Sequence, residues 1–187
     1  MNRQQRIKLI SHQSRAYNEG IVEYINSQWV FFNDETDEAS PLEEFINQEV
    51  ELYRGNRWRS GTLMEDGSVK LPKEIVHLFD QEEVKIRKHV QYSFGRLLEE
   101  LHDDSFFQFI MTLNSLDFSI YDCIYGYNQL TFLRDEMYKS GVNFFIFDNG
   151  ETICSVQHHF VYSSNAHDRF EFTLNTGKRI VIEKLNK

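Results

Sequence analysis

The chain has 187 residues, 41% of them apolar, and a formal net charge of −9. That is enough for one domain or two small ones with a real core, and an acidic whole opposes non-specific attraction to nucleic acid. The longest apolar runs, Trp29–Phe32 and Phe144–Phe147, hold four residues each, far short of the ~20 that cross a bilayer as a helix. Residues 1–6 carry charge with no apolar segment behind it, so no signal peptide is expected. Cys123 and Cys154 are the only cysteines and form no CxxC, which fits two reduced thiols. The expectation is a soluble cytoplasmic protein with no membrane partner and no cofactor.

The charge is uneven. Residues 1–80 carry 9 basic and 14 acidic side chains, residues 81–141 carry 6 and 10, and residues 142–187 carry 5 and 5. Arg3, Arg6, Lys8 and Arg15 face no acid before Glu19, so the start of the chain is locally positive. It is read as a short helix or an extended arm.

Strand patterns follow. Ile21–Ile25 and Trp29–Phe32 flank a turn at Asn26-Ser27. Asp34–Ser40 is an acidic loop, and a brief helix is expected at Leu42–Ile46. Glu49–Tyr53, Arg57–Met64 and Ser68–Leu71 are separated by turns at Arg54-Gly55-Asn56 and Asp66-Gly67. Five short strands with tight turns suggest a small SH3-like β-barrel, with a helical turn at Lys73–Asp80 and a closing strand at Glu83–Arg87. The alternation of Val84 and Ile86 with Lys85 and Arg87 fits that strand. Asp80 with Glu83 also has the spacing of a capping box, which would instead start a helix there. Both readings of residues 81–102 stand on the sequence.

From Val90 the spacing is helical, with Val90, Phe94, Leu97, Leu98 and Leu101 on one stripe. Asp104 is read as the cap of a helix at Phe106–Leu116 that is apolar almost all round. Further helices are expected at Phe118–Tyr127, capped by Asp117, and at Leu130–Lys139, ended by Ser140-Gly141. Four strands close the chain: Val142–Asp148, Thr152–Tyr162, Arg169–Leu174 and Lys178–Lys184. Asn149-Gly150 between the first two predicts a type I′ hairpin turn. The first of these strands is apolar on both faces, so a helical layer should cover one and another layer or a second copy the other.

The fold class is therefore α+β: an N-terminal SH3-like barrel at residues 1–87, then central helices and a C-terminal four-stranded antiparallel meander at 88–187. The candidate binding site is the hairpin Arg54, Arg57, Trp58 and Arg59. Arginine forks beside an aromatic plate suit an acidic or phosphorylated peptide, or another anionic partner. Neighbouring acids such as Glu51 can equally pair with these arginines.

His158 and His159 are adjacent on a strand and diverge. The dipeptides His102-Asp103 and His167-Asp168 resemble metal ligands of HD-type phosphohydrolases, with His89 and Asp117 or Asp122 the only candidates to complete a set. The phosphate-loop, nucleophile-elbow, zinc-protease and dinucleotide signatures are missing. Adjacent acids such as Glu99-Glu100 diverge too far to flank one bond. The aromatic cluster Phe118, Tyr121, Tyr125, Tyr127 and Phe132 is read as core.

Trp29–Phe32, the Arg57-Trp58-Arg59 hairpin and Ser140-Gly141-Val142 resemble an uncharacterised protein family of spore-forming Gram-positive bacteria. That resemblance implies a bacterial cytoplasmic protein and says nothing of activity. The function expected is a non-enzymatic binding or regulatory module for a peptide or other anionic partner. A metal-dependent phosphohydrolase using His89, His102 and Asp103 is the alternative, as is nucleic-acid binding through the basic N-terminal arm. A homodimer is expected to form, if at all, through the strand Val142–Asp148, whose second apolar face needs a cover.

Overall fold

The computed structural model describes residues 3–133, 136–163 and 166–186. Among these there are three α-helices and two antiparallel sheets, one of eight strands and one of five, so the fold is mixed α+β. The chain divides into two compact units, Ala16–Lys88 and the remainder, Met1–Arg15 with His89–Lys187. The first fifteen residues thus group with the C-terminal half rather than with the strands that follow them.

In the Ala16–Lys88 unit, eight strands form one sheet. They are β1 (Tyr17–Ile25), β2 (Gln28–Asn33), β3 (Ala39–Pro41), β4 (Glu49–Tyr53), β5 (Trp58–Leu63), β6 (Ser68–Lys70), β7 (Ile75–His77) and β8 (Glu82–Arg87), in the order β3-β2-β1-β8-β4-β5-β6-β7. Asn26 and Ser27 both have positive φ, as a two-residue turn matching strand twist requires. Val22, Phe31, Val50, Leu52, Leu63, Val69, Val84 and Ile86 lie buried in one cluster, joined by Leu42 from a 3-10 turn at Leu42–Phe45.

A flat sheet would hold β2 and β6 some five strand spacings apart, about 24 Å. Yet a Cβ added at Gly67, just before β6, would collide with the indole of Trp29 in β2. The sheet therefore curls until its apolar face closes on itself. Its edges are β3 and β7, with no ladder joining them among the described residues.

Two expectations change here: the segment read as a helical turn, Lys73–Asp80, contains β7, and the expected helix at Leu42–Ile46 is a 3-10 turn. Of the two readings of residues 81–102, the structure takes the strand, β8, followed by a helix.

The other unit holds α1 (Arg3–Ser11), α2 (Tyr92–Glu100), α3 (Asp103–Ser115) and strands β9 (Cys123–Tyr127), β10 (Lys139–Asp148), β11 (Ile153–Tyr162), β12 (Ala166–Leu174) and β13 (Arg179–Asn186), in the order β13-β12-β11-β10-β9. The Gln91 side chain caps α2 by accepting from the Phe94 N–H at 2.8 Å, and Phe94, Leu97 and Leu98 face inward. Phe106, Phe109, Ile110 and Leu113 of α3 are buried, while Phe107 and Met111 are exposed. The helix is therefore amphipathic, not apolar all round. Its Phe109 meets Phe94, Phe147, Phe170 and Phe172 at ring-centroid distances of 5.1–6.5 Å, which stitches helix to sheet.

The helix expected at Phe118–Tyr127 is instead a 3-10 turn at Ile120–Asp122 leading into edge strand β9. Asp117 has φ +61 and ends α3 rather than capping a new helix; Ser119 and Asp122 form the cap. The helix expected at Leu130–Lys139 is a 3-10 turn at Gln129–Phe132, residues 134–135 lying outside the described residues, and Ser140-Gly141 belong to β10.

The Asn149-Gly150 hairpin closes on Asp148 and Ile153, so four residues intervene, not two. The Asn149 side-chain oxygen accepts from the Glu151 and Thr152 N–H groups. This local bonding replaces the type I′ turn.

Candidate binding sites

The four hairpin residues stay on one hairpin, the Arg54 N–H donating to the Arg57 carbonyl at 3.0 Å, but their side chains take different partners. Arg54 Nε and Nη2 donate to the buried carboxylate of Glu82 at 2.5 and 2.8 Å, and Nη2 also donates to the His77 carbonyl at 2.6 Å. Arg59 pairs with Glu74. Trp58 lies on the opposite face, 36% exposed, against Tyr53 at 5.1 Å and beneath Lys85 Nζ at 4.5 Å. Arg57 sits exposed at the turn, with no ion pair among the described residues. The pairing acids are Glu74 and Glu82, not Glu51, which instead accepts from Ser60 Oγ at 3.0 Å.

The basic start of the chain is docked on its own unit. Arg6 donates to Asp103 at 2.8 Å and to the carbonyls of Leu98 and Leu101, with its guanidinium 4.5 Å over the Phe106 ring. Arg15 grips Asp122 through Nε and Nη2, and that hydrogen bond, outweighing burial, raises its already high pKa.

His102 and Asp103 also part ways. Asp103 serves Arg6, whereas the exposed His102 stands edge-on to Tyr162 at 5.8 Å. Asp168 bonds not with its neighbour His167 but with His158, whose Nε2 lies 2.8 Å from Oδ1. Among the described residues, no three of His, Cys, Asp and Glu are placed to hold a metal ion.

Asp168 is the hub of a buried network. Ser105 Oγ donates to Oδ2 at 2.5 Å and Tyr162 donates to Oδ1 at 2.6 Å. Asn143 Nδ2 reaches His158 Nδ1 at 3.1 Å, while Asn143 Oδ1 accepts from the Gln129 N–H at 2.7 Å. The pattern closes with a neutral imidazole donating through Nε2 and accepting at Nδ1. Protonating Nδ1 would set two donors face to face.

Burial accordingly lowers the His158 pKa, overcoming the opposite pull of Asp168. For Asp168, burial alone would raise the pKa, but the bonds from His158, Ser105 and Tyr162 prevail and lower it. In a nucleophilic triad the serine must bond the histidine. Here Ser105 bonds the aspartate, and the side chains of Ser105, His158 and Asp168 have no solvent exposure. Burial also pushes the thiols up, Cys123 to about 12 and Cys154 to about 11, which suits packing rather than nucleophilic chemistry.

Two exposed surfaces stand out among the described residues. The five-stranded sheet packs its helices on one face. On the other, Tyr125 (53% exposed), Tyr127 (43%) and Phe144 (44%) lie side by side, with Phe132 (75%) stacked on Tyr127 at 6.2 Å. Ile146 of β10 pairs with Tyr125 on the same face. The cluster read from the sequence as core is thus split: Phe118 is buried, while Tyr125, Tyr127 and Phe132 face out.

The second surface is the mouth of the curled sheet. Val22 and Phe31 pair at the end of the core, and the next pair on that face, Tyr24 and Trp29, lies beyond it. Leu42, Glu43, Met64, Asp66 and Gly67 complete a cleft of about 330 Å3. Sequence reading missed it, because its acids come from two turns remote from the Tyr24–Trp29 hairpin. The signal available was the aromatic pair flanking Asn26-Ser27.

The chain is 30% identical over 132 residues to the "Uncharacterized protein YisN" of Bacillus subtilis (strain 168), covering 70% of this chain and 67% of that protein. No solved structure matches it. No helix among the described residues is long and apolar enough to cross a membrane. A family model matches residues 4–184, nearly the whole chain, and the chain belongs to that family, "Protein of unknown function (DUF2777)".

Proposed function

We propose that this chain is a non-enzymatic binding protein that works as a homodimer. The observation that carries the reading is the aromatic outer face of the five-stranded sheet. A contiguous patch of Tyr125, Tyr127, Phe132 and Phe144 is the kind of surface that protein association covers.

A second copy suits it by charge. Residues 142–187 balance 5 acidic against 5 basic side chains, while the chain as a whole carries −9. Two such molecules repel one another least across this neutral face. Along the same face Arg169 and Arg179 bond Glu171, a mixed-sign surface that matches its own two-fold image.

Analytical ultracentrifugation at micromolar concentration should find a dimer that Phe144→Glu converts to a folded monomer. A wild-type monomer under those conditions overturns this assignment.

A second reading concerns the curled unit as an SH3-like barrel holding a peptide or other anionic partner. It is favoured by Arg57, whose charge is uncompensated, beside the half-exposed Trp58 and Lys85. Arg54 and Arg59 would then frame the hairpin through Glu82 and Glu74. Binding of an acidic peptide that survives Arg57→Glu combined with Trp58→Ala sinks that reading.

A further inference from the structure

We propose that the mouth of the curled sheet is a recognition site for a cationic side chain, a lysine, methylated lysine or arginine carried by a peptide. The site differs from the Arg57 hairpin in place and in sign. Its walls are the rings of Trp29 and Tyr24, with centroids 5.1 Å apart and planes inclined by 57°. Both rings line the cleft, and aromatic faces attract an ammonium or guanidinium group.

Glu43 and Asp66 stand at the rim, and no basic residue lines the cleft. Neither carboxylate makes an ion pair among the described residues. The two carboxylates beside the aromatic pair supply the charge that a cation would complement.

The cleft is also preorganised. Trp29 rests on Gly67, where any side chain would displace the indole. The Leu78 N–H donates to the Gly67 carbonyl at 2.9 Å and so holds the floor from beneath. Asp66 adopts φ +57, which turns this short loop back toward the hairpin. A volume of about 330 Å3 has room for a single long side chain. The net charge of −9 speeds the approach of a basic partner.

The test uses the full chain carrying Trp58→Phe, which leaves Trp29 as the sole tryptophan. Its fluorescence is followed while adding a lysine- and arginine-containing peptide, the same peptide with trimethylated lysine, a glutamate counterpart, or tetramethylammonium alone. The basic peptides should shift Trp29 emission in a saturable, salt-sensitive way, and the glutamate peptide should not. Competition by tetramethylammonium would assign the recognised group to the cationic head itself; a peptide that it cannot displace would assign it to the peptide backbone and overturn the proposal.

Glu43→Gln with Asp66→Asn should weaken binding about tenfold at low salt with unchanged thermal stability, since asparagine tolerates the positive φ. Affinity unchanged in that double variant, or equal affinity for the glutamate peptide, would likewise overturn it. Arg57→Glu should leave basic-peptide binding intact, which separates this site from the hairpin.

Discussion

The two units solve one problem differently. Each has an antiparallel sheet with one apolar face, and each must hide it from water. The helix-bearing unit lays α2 and α3 over the face and fills the gap with large rings: Phe94, Phe106, Phe109, Phe118, Phe145, Phe147, Phe160, Phe170 and Phe172. The other unit has only β-strands and 3-10 turns, so its sheet curls around smaller side chains, mostly valine, leucine and isoleucine. The cover chosen decides what is left exposed. A sheet covered on one side keeps a broad outer face, here Tyr125, Tyr127 and Phe144, whereas a curled sheet keeps an open end, here Tyr24 and Trp29. The two proposed roles, flat association and side-chain capture, match those two shapes.

The comparison is broken most sharply in the cores. Phe109→Ala removes a ring that touches four others and should cost about 4 kcal/mol. Leu52→Ala in the curled sheet should cost about 3 kcal/mol, because smaller neighbours collapse more easily into the space. Urea unfolding of both variants would show the order; a larger loss for Leu52→Ala would contradict the idea that the rings lock the helix-bearing unit.

Asp168→Asn comes next. It leaves three buried donors around an amide that cannot accept from all of them, and a loss of about 3 kcal/mol is expected in the same measurement.

The pH response is smaller and has a definite sign. The folded pKa of His158 lies below its unfolded 6.5, so the unfolded chain binds a proton that the folded one refuses. Stability that is complete above pH 6.5 is therefore lost progressively as pH falls below it. Asp168, held below 3.8, adds a loss of the same sign at lower pH. Melting followed from about pH 7 to about pH 5 should show a decline that His158→Gln flattens; an unchanged decline would place the sensitive group elsewhere. The smallest effect is expected at Gly150, where φ is +86 in open space, and alanine should cost about 1 kcal/mol.

Much of this was legible along the chain, in an uneven way. Alternation located the four C-terminal strands and the β8 strand, because period-two burial is a local property of sequence. Residues 118–139 misled, since Phe118, Tyr121 and Tyr125 recur at helical spacing while β9 is held in place by its ladder to β10. Tertiary pairing outweighs local pattern there. At the hairpin, the position of Arg57 and Trp58 at a turn was readable. The partners of Arg59 and Arg54 were not, since Glu74 and Glu82 lie 15 and 28 residues downstream. The Tyr24–Trp29 cleft was hidden because its acidic rim forms only when the sheet curls.

The split of the chain bears on how it is made. Helix α1 is synthesised before the intervening sheet, yet its Arg6 bonds Asp103, Leu98 and Leu101, so during translation it waits until that whole sheet has emerged. The two ends of that sheet meet, the Lys88 N–H donating to the Ala16 carbonyl at 2.8 Å. A segment whose ends are adjacent can fold by itself while tethered at both sides, and can be gained or lost by a gene without tearing its host. Residues 16–88 have the form of an insertion between the two stretches of chain that build the other unit.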